Sequence, residues 1–262
     1  GNQGGSGAVR IIWGSGRAFP STNTADVTPS SGPTTTTVTK VADQSGNGLN
    51  GTIEGAIQAN IETKGWWQFD GINDYISFPE SSSFSFANDD FTIESWIYPT
   101  NSVVFANIFS TEDFDFKLQF LAVRIYTASG SNTSTTCNLN EWNHVLFYRR
   151  GSTFYVSING FEQAVVPTAF TGDGSSAANI GRKIRSASEH FVGRIGEVRV
   201  YQKALTAAEI YQNYNATRRK YTGVRPFTGA PISPGFARTL PAPLISYDFN
   251  SALCVQRTSS IL

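Results

Sequence analysis

Residues 91–98 read FTIESWIY, and this stretch decides the fold class. Alternate side chains of a β-strand point to opposite faces, so Phe91, Ile93 and Ile97 share one face. The opposite face carries Trp96, which is also large and apolar. Since either face could pack into a core, the stretch predicts a strand inside a two-sheet sandwich.

Further strand-type runs follow at short intervals along the body of the chain, which is typical of a sandwich. The predicted strands lie at residues 116–120, 143–148, 154–158, 161–166 and 191–201. Asn159 and Gly160 favour a type I′ hairpin turn between two of them, because both positions must accept a positive φ. Gly193 and Gly196 predict bulges in the last strand.

One helix is predicted after the last long strand. Residues 206–209, TAAE, form a capping box in which the Thr206 hydroxyl accepts from the backbone of Glu209, whose carboxylate reaches back. Leu205 and Ile210 occupy the positions of a hydrophobic staple.

The composition limits the classes of partner. Of 262 residues, 40% are hydrophobic and only 15% are charged, with a formal net charge of +0. Such a chain has no global field that would recruit nucleic acid, so no nucleic-acid partner is predicted. No apolar run approaches the roughly 20 residues that span a bilayer, so no membrane insertion is predicted.

The two cysteines, Cys137 and Cys254, cannot build a disulfide framework and match no zinc pattern. The sequence leaves open whether they pair or remain buried thiols. The chain has no methionine and a glycine-rich start. These features favour a processed chain or a piece of a longer polypeptide.

Three zones are predicted along the chain. Residues 1–37 form a Gly/Ser/Thr-rich N-terminal arm and linker with one strand near 8–13. Residues 38–221 form the sandwich. Residues 222–262 form a proline-rich tail.

Seven motifs occur in order along the body of the chain. They are DQSGNGLNG at 43–51, FDGINDYI at 69–76, FTIESWI at 91–97, WNHV at 142–145, YVSING at 155–160, GRIGEVRVY at 193–201 and ALTAAEI at 204–210. This succession resembles the laminin-G-like domains of the concanavalin A-like lectin/glucanase superfamily. The resemblance implies an all-β, two-sheet antiparallel jelly-roll sandwich with one short C-terminal helix. Relatives open with a short strand that resembles residues 244–249, so we expect the tail to return and pair at this sandwich or a neighbouring one.

Two other segments, GAVRIIWGSGRAFP at 7–20 and YQNYNAT at 211–217, resemble segments of marine bacteriophage virion proteins. This resemblance implies a surface-exposed virion module of the fibre or capsid-decoration type, on the virion surface or outside the cell. Its partners would be other virion subunits and host-surface glycans. A homo-oligomer is expected, and a trimer follows from the fibre analogy alone.

Glycan binding needs aromatic platforms with planar polar groups beside them. The candidate residues are Trp66, Trp67, Trp96 and Tyr98. The adjacent tryptophans of one strand point to opposite faces, so one of them is predicted to be buried. Residues 109–115, 128–136 and 171–178 are rich in polar and small residues and are predicted loops, where function in sandwiches tends to lie.

No cofactor is required, but calcium is an open alternative because many laminin-G-like modules bind it through oxygen ligands. The candidate ligands are Asp43, Asn47, Asp70, Asn73 and Asp74. The competing interpretation is that these side chains close turns. Relatives often carry Asp where this chain has Gly196, so a ligand at that position would be lost.

Catalysis is not predicted. Retaining glucanases need two carboxylates about 5–5.5 Å apart, which the superfamily supplies from one strand as Glu-x-Asp-x-x-Glu. That string is absent, and Glu94 and Glu197 are predicted to be isolated, solvated or hydrogen-bonded surface acids. His144 and His190 are predicted to be structural. The favoured function is a non-catalytic structural or adhesion module of a virion that contacts glycans. A purely architectural subunit is the alternative, and a glycoside hydrolase is the less favoured one.

Overall fold

The computed structural model describes residues 36–55, 58–60, 65–86, 89–103, 105–127, 130–165, 176–223, 245–247 and 255–259. The predicted strand near 8–13, part of the predicted loop 171–178, and Cys254 lie outside the described residues. The chain divides into two compact units, Val38–Gln256 and a second that joins Gly1–Thr37 to Arg257–Leu262. The second unit is described only at the ends of two strands, 36–37 and 257–259.

The described residues form strands throughout, with one α-helix and one 3-10 helix, Ser82–Phe84. The strands are β1 (Thr36–Val41), β2 (Gly51–Glu54), β3 (Gln58–Asn60), β4 (Trp66–Asp70), β5 (Tyr75–Ser81), β6 (Phe91–Pro99), β7 (Ala106–Thr111), β8 (Phe114–Gln119), β9 (Ala122–Thr127), β10 (Gly130–Thr136), β11 (Asn143–Arg150), β12 (Thr153–Ile158), β13 (Phe161–Val165), β14 (Ser176–Ile180), β15 (Val192–Tyr201), β16 (Ile245–Tyr247) and β17 (Val255–Ser259). The α-helix, α1, spans Ala207–Thr222.

The strands of the larger unit form two antiparallel sheets. The first sheet has the order β10-β9-β8-β7-β14-β5-β2-β1, and the second has the order β13-β12-β11-β6-β15-β4-β3. The inner faces of both sheets contribute to one hydrophobic core. This arrangement confirms the predicted all-β jelly-roll sandwich.

Strand β6 lies in the middle of the second sheet and is buried on both faces. Phe91, Ile93 and Ile97 enter the main core, as the alternation predicts. On the opposite side of this sheet a smaller apolar cluster, which includes Leu146 and Ile210, lies between the sheet and α1. Because the helix covers the outer face, the strand needs apolar residues on both sides, which explains the sequence FTIESWIY.

Helix α1 begins and ends as its sequence dictates. Thr206 is the N-cap, and both hydrogen bonds of the capping box with Glu209 are formed. Leu205 and Ile210 are buried at the helix start, in agreement with the predicted staple. The helix ends at Gly223, which has a φ of 71° and closes the last turn through its backbone N–H to the Arg219 carbonyl.

The hairpin prediction is confirmed, whereas two loop predictions are wrong. Asn159 and Gly160 have φ values of 53° and 86° and join β12 to β13. Residues 109–115 and 128–136 are instead largely strand, in β7, β8 and β10. In β7 a register shift between Asn107 and Phe109 interrupts the alternation. Strand β10 is an edge strand that pairs with β9 in the larger unit, so a run of Ser and Thr suffices there.

Of the two bulges predicted in β15, one is present. The register with β6 shifts between Ile195 and Val198, around Gly196. At Gly193 the ladder with β4 is continuous, so that prediction is wrong. Gly193 is needed for a different reason, because its φ is +132° and a Cβ there would meet the Tyr98 carbonyl oxygen.

The tail returns to the sandwich, as predicted. Strand β16 pairs antiparallel with β15, with Ser246 opposite Arg199. The pairing of β4 with β15 ends at Ile195, and β16 pairs with residues 198–200 of β15 just past that point. Among the residues that the structure describes, no helix has the length and apolar character needed to cross a bilayer.

Cys137 is a free thiol in the main core. Burial raises its pKa from 9.0 to about 12, so the thiolate is strongly disfavoured at neutral pH.

Candidate functional site

A row of planar side chains crosses the outer face of the second sheet. Strand register places Arg194 on β15 opposite Gln68 on β4 and opposite Tyr98 on β6. Trp66 precedes Gln68 by two residues and therefore shares its face. Trp142 directly precedes β11 and contacts Tyr98 edge-on, with ring centroids 5.5 Å apart. We call these five residues the aromatic platform.

Stacking and hydrogen bonding organise the platform around Arg194. Its guanidinium lies 4.4 Å from the Trp66 ring centroid and 4.8 Å from that of Tyr98. Its Nε donates to Gln68 Oε1 at 3.2 Å. All five residues are half-buried. The Trp66 indole Nε1 has no hydrogen-bond partner among the described residues. The platform thus combines aromatic planes with fixed polar groups, the combination that sugar rings require.

The C-terminal end of α1 supports the platform from one side. The Tyr221 ring lies 4.7 Å from Trp142 and 4.9 Å from Trp96, measured between centroids. Its hydroxyl accepts a hydrogen bond of 2.8 Å from the Glu197 backbone N–H. Gly196 makes this possible, because a Cβ there would lie 2.6 Å from the Tyr221 ring. An Asp at this position would be incompatible with this placement of Tyr221.

The structure separates the four predicted glycan-binding aromatics into two pairs. Trp66 and Tyr98 belong to the platform. Trp67 is fully buried in the main core. Trp96 is 2% exposed and donates from Nε1 to Thr217 Oγ1 at 2.8 Å, beneath α1. Neither buried ring offers a surface to a ligand, so a ligand-binding role is a prediction only for Trp66 and Tyr98.

Sequence reasoning missed Arg194, Gln68 and Trp142. Each lies in or beside a strand whose existence the sequence indicates. However, only the pairing register between β4, β15 and β6 brings them to Trp66 and Tyr98. The available signal was the period of two, which places Gln68 on the face of Trp66.

Two buried acids lie on the same outer face, between the sheet and α1. Glu94 is 2% exposed and Glu197 is 5% exposed, so their prediction as surface acids is wrong. Arg199 Nη1 donates to Glu94 Oε1 at 2.7 Å, and Arg199 Nη2 donates to Glu197. Tyr201 Oη also donates to Glu94 Oε1, at 3.0 Å. Both acids are therefore hydrogen-bonded, which the sequence analysis gave as the alternative to solvation.

The electrostatics of this cluster oppose acid catalysis. Burial raises the pKa of Glu94, but the interactions with His144 and Arg199 outweigh burial and lower the pKa from 4.5 to about 2. His144 Nε2 lies 3.6 Å from Glu94 Oε2. The helix covers this carboxylate, since Asn213 Nδ2 donates to its two oxygens at 3.2 and 3.1 Å. A carboxylate that stays ionised at neutral pH and is shielded by a helix cannot protonate a glycosidic oxygen.

The predicted calcium ligands close turns within their own loops. Asp43 accepts from the Ser45 backbone N–H at 2.9 Å and from the Ser45 hydroxyl at 2.8 Å. Asp70 accepts from the Ile72 backbone N–H at 2.7 Å. Asp74 accepts from the Asp70 backbone N–H at 2.9 Å.

The remaining two candidate ligands, Asn47 and Asn73, lie at the protein surface. Asn47 is exposed and donates from Nδ2 to Ser45 Oγ at 3.0 Å, and Asn73 is also exposed. Among the described residues, no three His, Cys, Asp or Glu side chains are grouped so as to hold a metal ion. The geometry thus agrees with the turn-forming interpretation, and calcium binding at either loop stays a prediction.

A cleft of about 360 Å³ opens elsewhere on the sandwich. Its lining includes Asp89, Asp90 and Lys203. Phe86 also lines it, but the side chain is 1% exposed and offers no aromatic plane to a sugar. The cleft therefore lacks the stacking surface that the platform has.

Comparison with known families identifies the domain. Residues 70–211 match the laminin-G family model described as the concanavalin A-like lectin/glucanases superfamily. This match covers more than half of the chain. No curated protein sequence matches the chain.

Solved structures share the fold at low sequence identity. Domain 4 of AbnA, an extracellular GH43 arabinanase from Geobacillus stearothermophilus solved with arabinotriose, has a TM-score of 0.51 and 20% identity, covering 68% of this chain and 98% of that domain. The binding domain of botulinum neurotoxin serotype G has a TM-score of 0.54 and 15% identity, covering 68% of this chain and 50% of that one. The chain thus spans about half the length of the neurotoxin binding domains that it matches.

Proposed function

Because the chain belongs to the laminin-G family of the concanavalin A-like lectin/glucanase superfamily, we propose that it is a non-catalytic binding module for glycans. The observation that carries this proposal is the stacking of Arg194 between Trp66 and Tyr98 on the outer face of the second sheet. The aromatic planes would stack on the apolar faces of sugar rings. Arg194 and Gln68 would hydrogen-bond the hydroxyl groups.

Two structural neighbours support the proposed ligand class. Domain 4 of the arabinanase was solved with arabinotriose. The structure of the type C botulinum neurotoxin concerns cell entry through two ganglioside molecules, with a TM-score of 0.52 and 13% identity over 68% of this chain and 51% of that one. One neighbour was thus solved with a saccharide and the other interacts with gangliosides, whereas the fold by itself hosts many functions.

The non-catalytic part of the proposal rests on Glu94 and Glu197. Both acids are buried and accept hydrogen bonds from Arg199 beneath α1. A hydrolase would need one protonated and one ionised carboxylate across a sugar. Release of reducing sugar from a bound polysaccharide, abolished by Glu94→Gln, would contradict this part.

We propose that the module works on the surface of a virion, as a fibre or capsid-decoration component facing the host. The resemblance of residues 7–20 and 211–217 to marine phage virion proteins supports this location. Other virion subunits, including further copies of this chain, would be its protein partners. Mass spectrometry of purified virions tests the location, since a genuine component must co-purify with them.

The glycan proposal is tested by comparing binding of the protein and its variants to an array of surface polysaccharides. Trp66→Ala and Arg194→Gln should each weaken binding about tenfold or more, a loss of roughly 1.4 kcal/mol. Phe161→Ala is the matched control, because this aromatic is 82% exposed on the β12–β13 hairpin, outside the platform, and should bind normally. Failure of the unaltered protein to bind any glycan would favour the architectural alternative.

A further inference from the structure

Lys117 is a buried cation that the proposed glycan contact does not use. Its neighbours Phe116 and Leu118 enter the core, so Lys117 projects from the outer face of the first sheet. Its side chain is 1% exposed. Its Nζ lies 4.4 Å from the Phe105 ring centroid and 4.0 Å from that of Tyr126. Buried lysines require a counter-charge, and two carboxylates lie close to the Lys117 ammonium, Asp115 on the same strand at 3.8 Å and Glu189 at 2.8 Å.

The nearer of the two is the carboxylate of Glu189, which belongs to a covering segment, residues 183–189. Lys117 Nζ and Asn107 Nδ2 donate to Glu189 Oε2 at 2.8 and 2.9 Å, and Lys183 Nζ donates to Oε1 at 3.1 Å. We call these three donor residues the carboxylate cradle. Burial raises the pKa of Glu189, but the hydrogen bonds and charges of Lys117 and Lys183 outweigh it and lower the pKa. The cradle is thus built to hold an ionised carboxylate.

Glu189 is an imperfect occupant of this cradle. It has a φ of 55°, and Ala187 in the same segment has a φ of 46°. Such left-handed backbone at non-glycine residues costs on the order of 1 kcal/mol each. Asn107 is fully buried, yet its Oδ1 has no hydrogen-bond partner among the described residues. A carboxylate side chain at neutral pH has no hydrogen to give this oxygen, whereas a sugar hydroxyl has one.

The local charge favours an anionic ligand if Glu189 leaves. Arg185 Nη2 lies 3.3 Å from Asp115 Oδ2, and Lys117 and Lys183 lie 3.8 and 3.7 Å from the same oxygen. Without Glu189, these three cations would face the single carboxylate of Asp115. The residues at the tip of the covering segment, 185–187, are exposed, and the Asn107 backbone N–H holds the segment in place by donating to the Glu189 carbonyl at 2.9 Å.

We propose that the carboxylate cradle is a second saccharide site, specific for acidic sugars such as uronic acids, and that Glu189 occupies it until the ligand arrives. The ligand carboxylate takes the three hydrogen bonds of Glu189, and a neighbouring hydroxyl donates to Asn107 Oδ1. The ligand class rests on the proposed glycan-binding function, but the site lies on the other sheet from the aromatic platform. Binding here requires the Glu189 side chain to leave the cradle, while the covering segment that carries Lys183 stays in place.

Galacturonate, with galactose as its neutral match at equal ionic strength, provides the test. In Glu189→Ala the cradle is vacated, so galacturonate should raise the melting temperature in a saturable way and galactose should not. The unaltered protein should bind galacturonate saturably but about tenfold or more weakly, because Glu189 competes. Glu189→Gln supplies the same comparison should the alanine variant fail to fold.

Lys183→Gln in the Glu189→Ala background is the control, because it removes one donor whose side chain is 20% exposed. It should weaken the galacturonate response. An equal response to galactose, or a response in the variant with no saturable binding by the unaltered protein, would overturn the inference. Glycan binding that is lost in Trp66→Ala while galacturonate has no effect would overturn this inference and leave the proposed function standing.

Discussion

Glu94 is held ionised beneath α1 by groups from three directions. Arg199 comes from the same sheet, His144 from the adjacent strand β11, and Asn213 from the helix. Removing one partner from such a buried cluster leaves a buried charge without compensation. The free-energy cost of that charge exceeds the net stabilisation that the intact cluster provides. The stability of the sandwich is therefore coupled to the ionisation of this one side chain.

The lowered pKa of Glu94 predicts a specific dependence of stability on pH. Its pKa is about 2 in the folded protein and ordinarily 4.5, so its contribution is fully present above pH 4.5 and is lost as pH falls toward 2. Glu94→Gln should reduce the free energy of unfolding at pH 7 by on the order of 3 kcal/mol. The gap from the unaltered protein should shrink at pH 3. Urea unfolding at both pH values measures it.

Glu80→Gln is the matched control, because Glu80 is an exposed carboxylate on the first sheet. This variant should unfold like the unaltered protein at both pH values. A Glu94→Gln deficit of the same size at pH 7 and pH 3 would show that the loss comes from packing and not from charge.

The close packing of Tyr221 against Gly196 gives a second prediction at the scale of single residues. A Cβ on Gly196 would lie 2.6 Å from the Tyr221 ring, which Trp96 and Trp142 hold from other sides. Gly196→Ala should therefore destabilise the protein by about 1–3 kcal/mol. In a Tyr221→Ala background the same substitution should cost much less. Thermal unfolding of the four proteins gives the coupling energy, and additive effects would contradict the proposed contact.

At the scale of elements, local patterns predicted those features whose cause is local. The Asn159-Gly160 turn and the capping box of Thr206 and Glu209 depend on residues within four positions of one another. Strand β6 was predictable because it is buried on both faces and therefore carries large apolar side chains on both. Strand β10 was missed because an edge strand of Ser, Thr and Asn has the composition of a loop.

The candidate site was only half predictable for the same reason. Trp66 and Tyr98 stand out as aromatic residues on strands. Arg194 joins them only because β15 lies between β4 and β6 in a particular register. Glu189 and Lys117 are 72 residues apart and meet because the covering segment folds over β8. Such contacts are set by the assembly of the sheets, which a single sequence does not contain.

At the scale of the larger unit, each sheet has an outer face that is partly covered by its own chain. Helix α1 covers the second sheet and leaves the aromatic platform beside its C-terminal end. The covering segment 183–189 lies over β7 and β8 of the first sheet. The two proposed sites therefore belong to opposite outer faces of the sandwich.

The returning tail gives the last prediction. Strand β16 supplies the pairing partner for residues 198–200 of β15, where β4 no longer reaches. A chain that ends at Pro243 lacks β16 and leaves those backbone groups unpaired beside the core. It should lose about 1–3 kcal/mol of stability, since each unsatisfied buried group costs on the order of 1 kcal/mol. A chain that ends at Phe249 keeps β16 and is the matched control. Equal melting temperatures of the two chains would contradict the role of β16. Light scattering on both chains measures the oligomeric state, which should be the same if the strand comes from the same subunit.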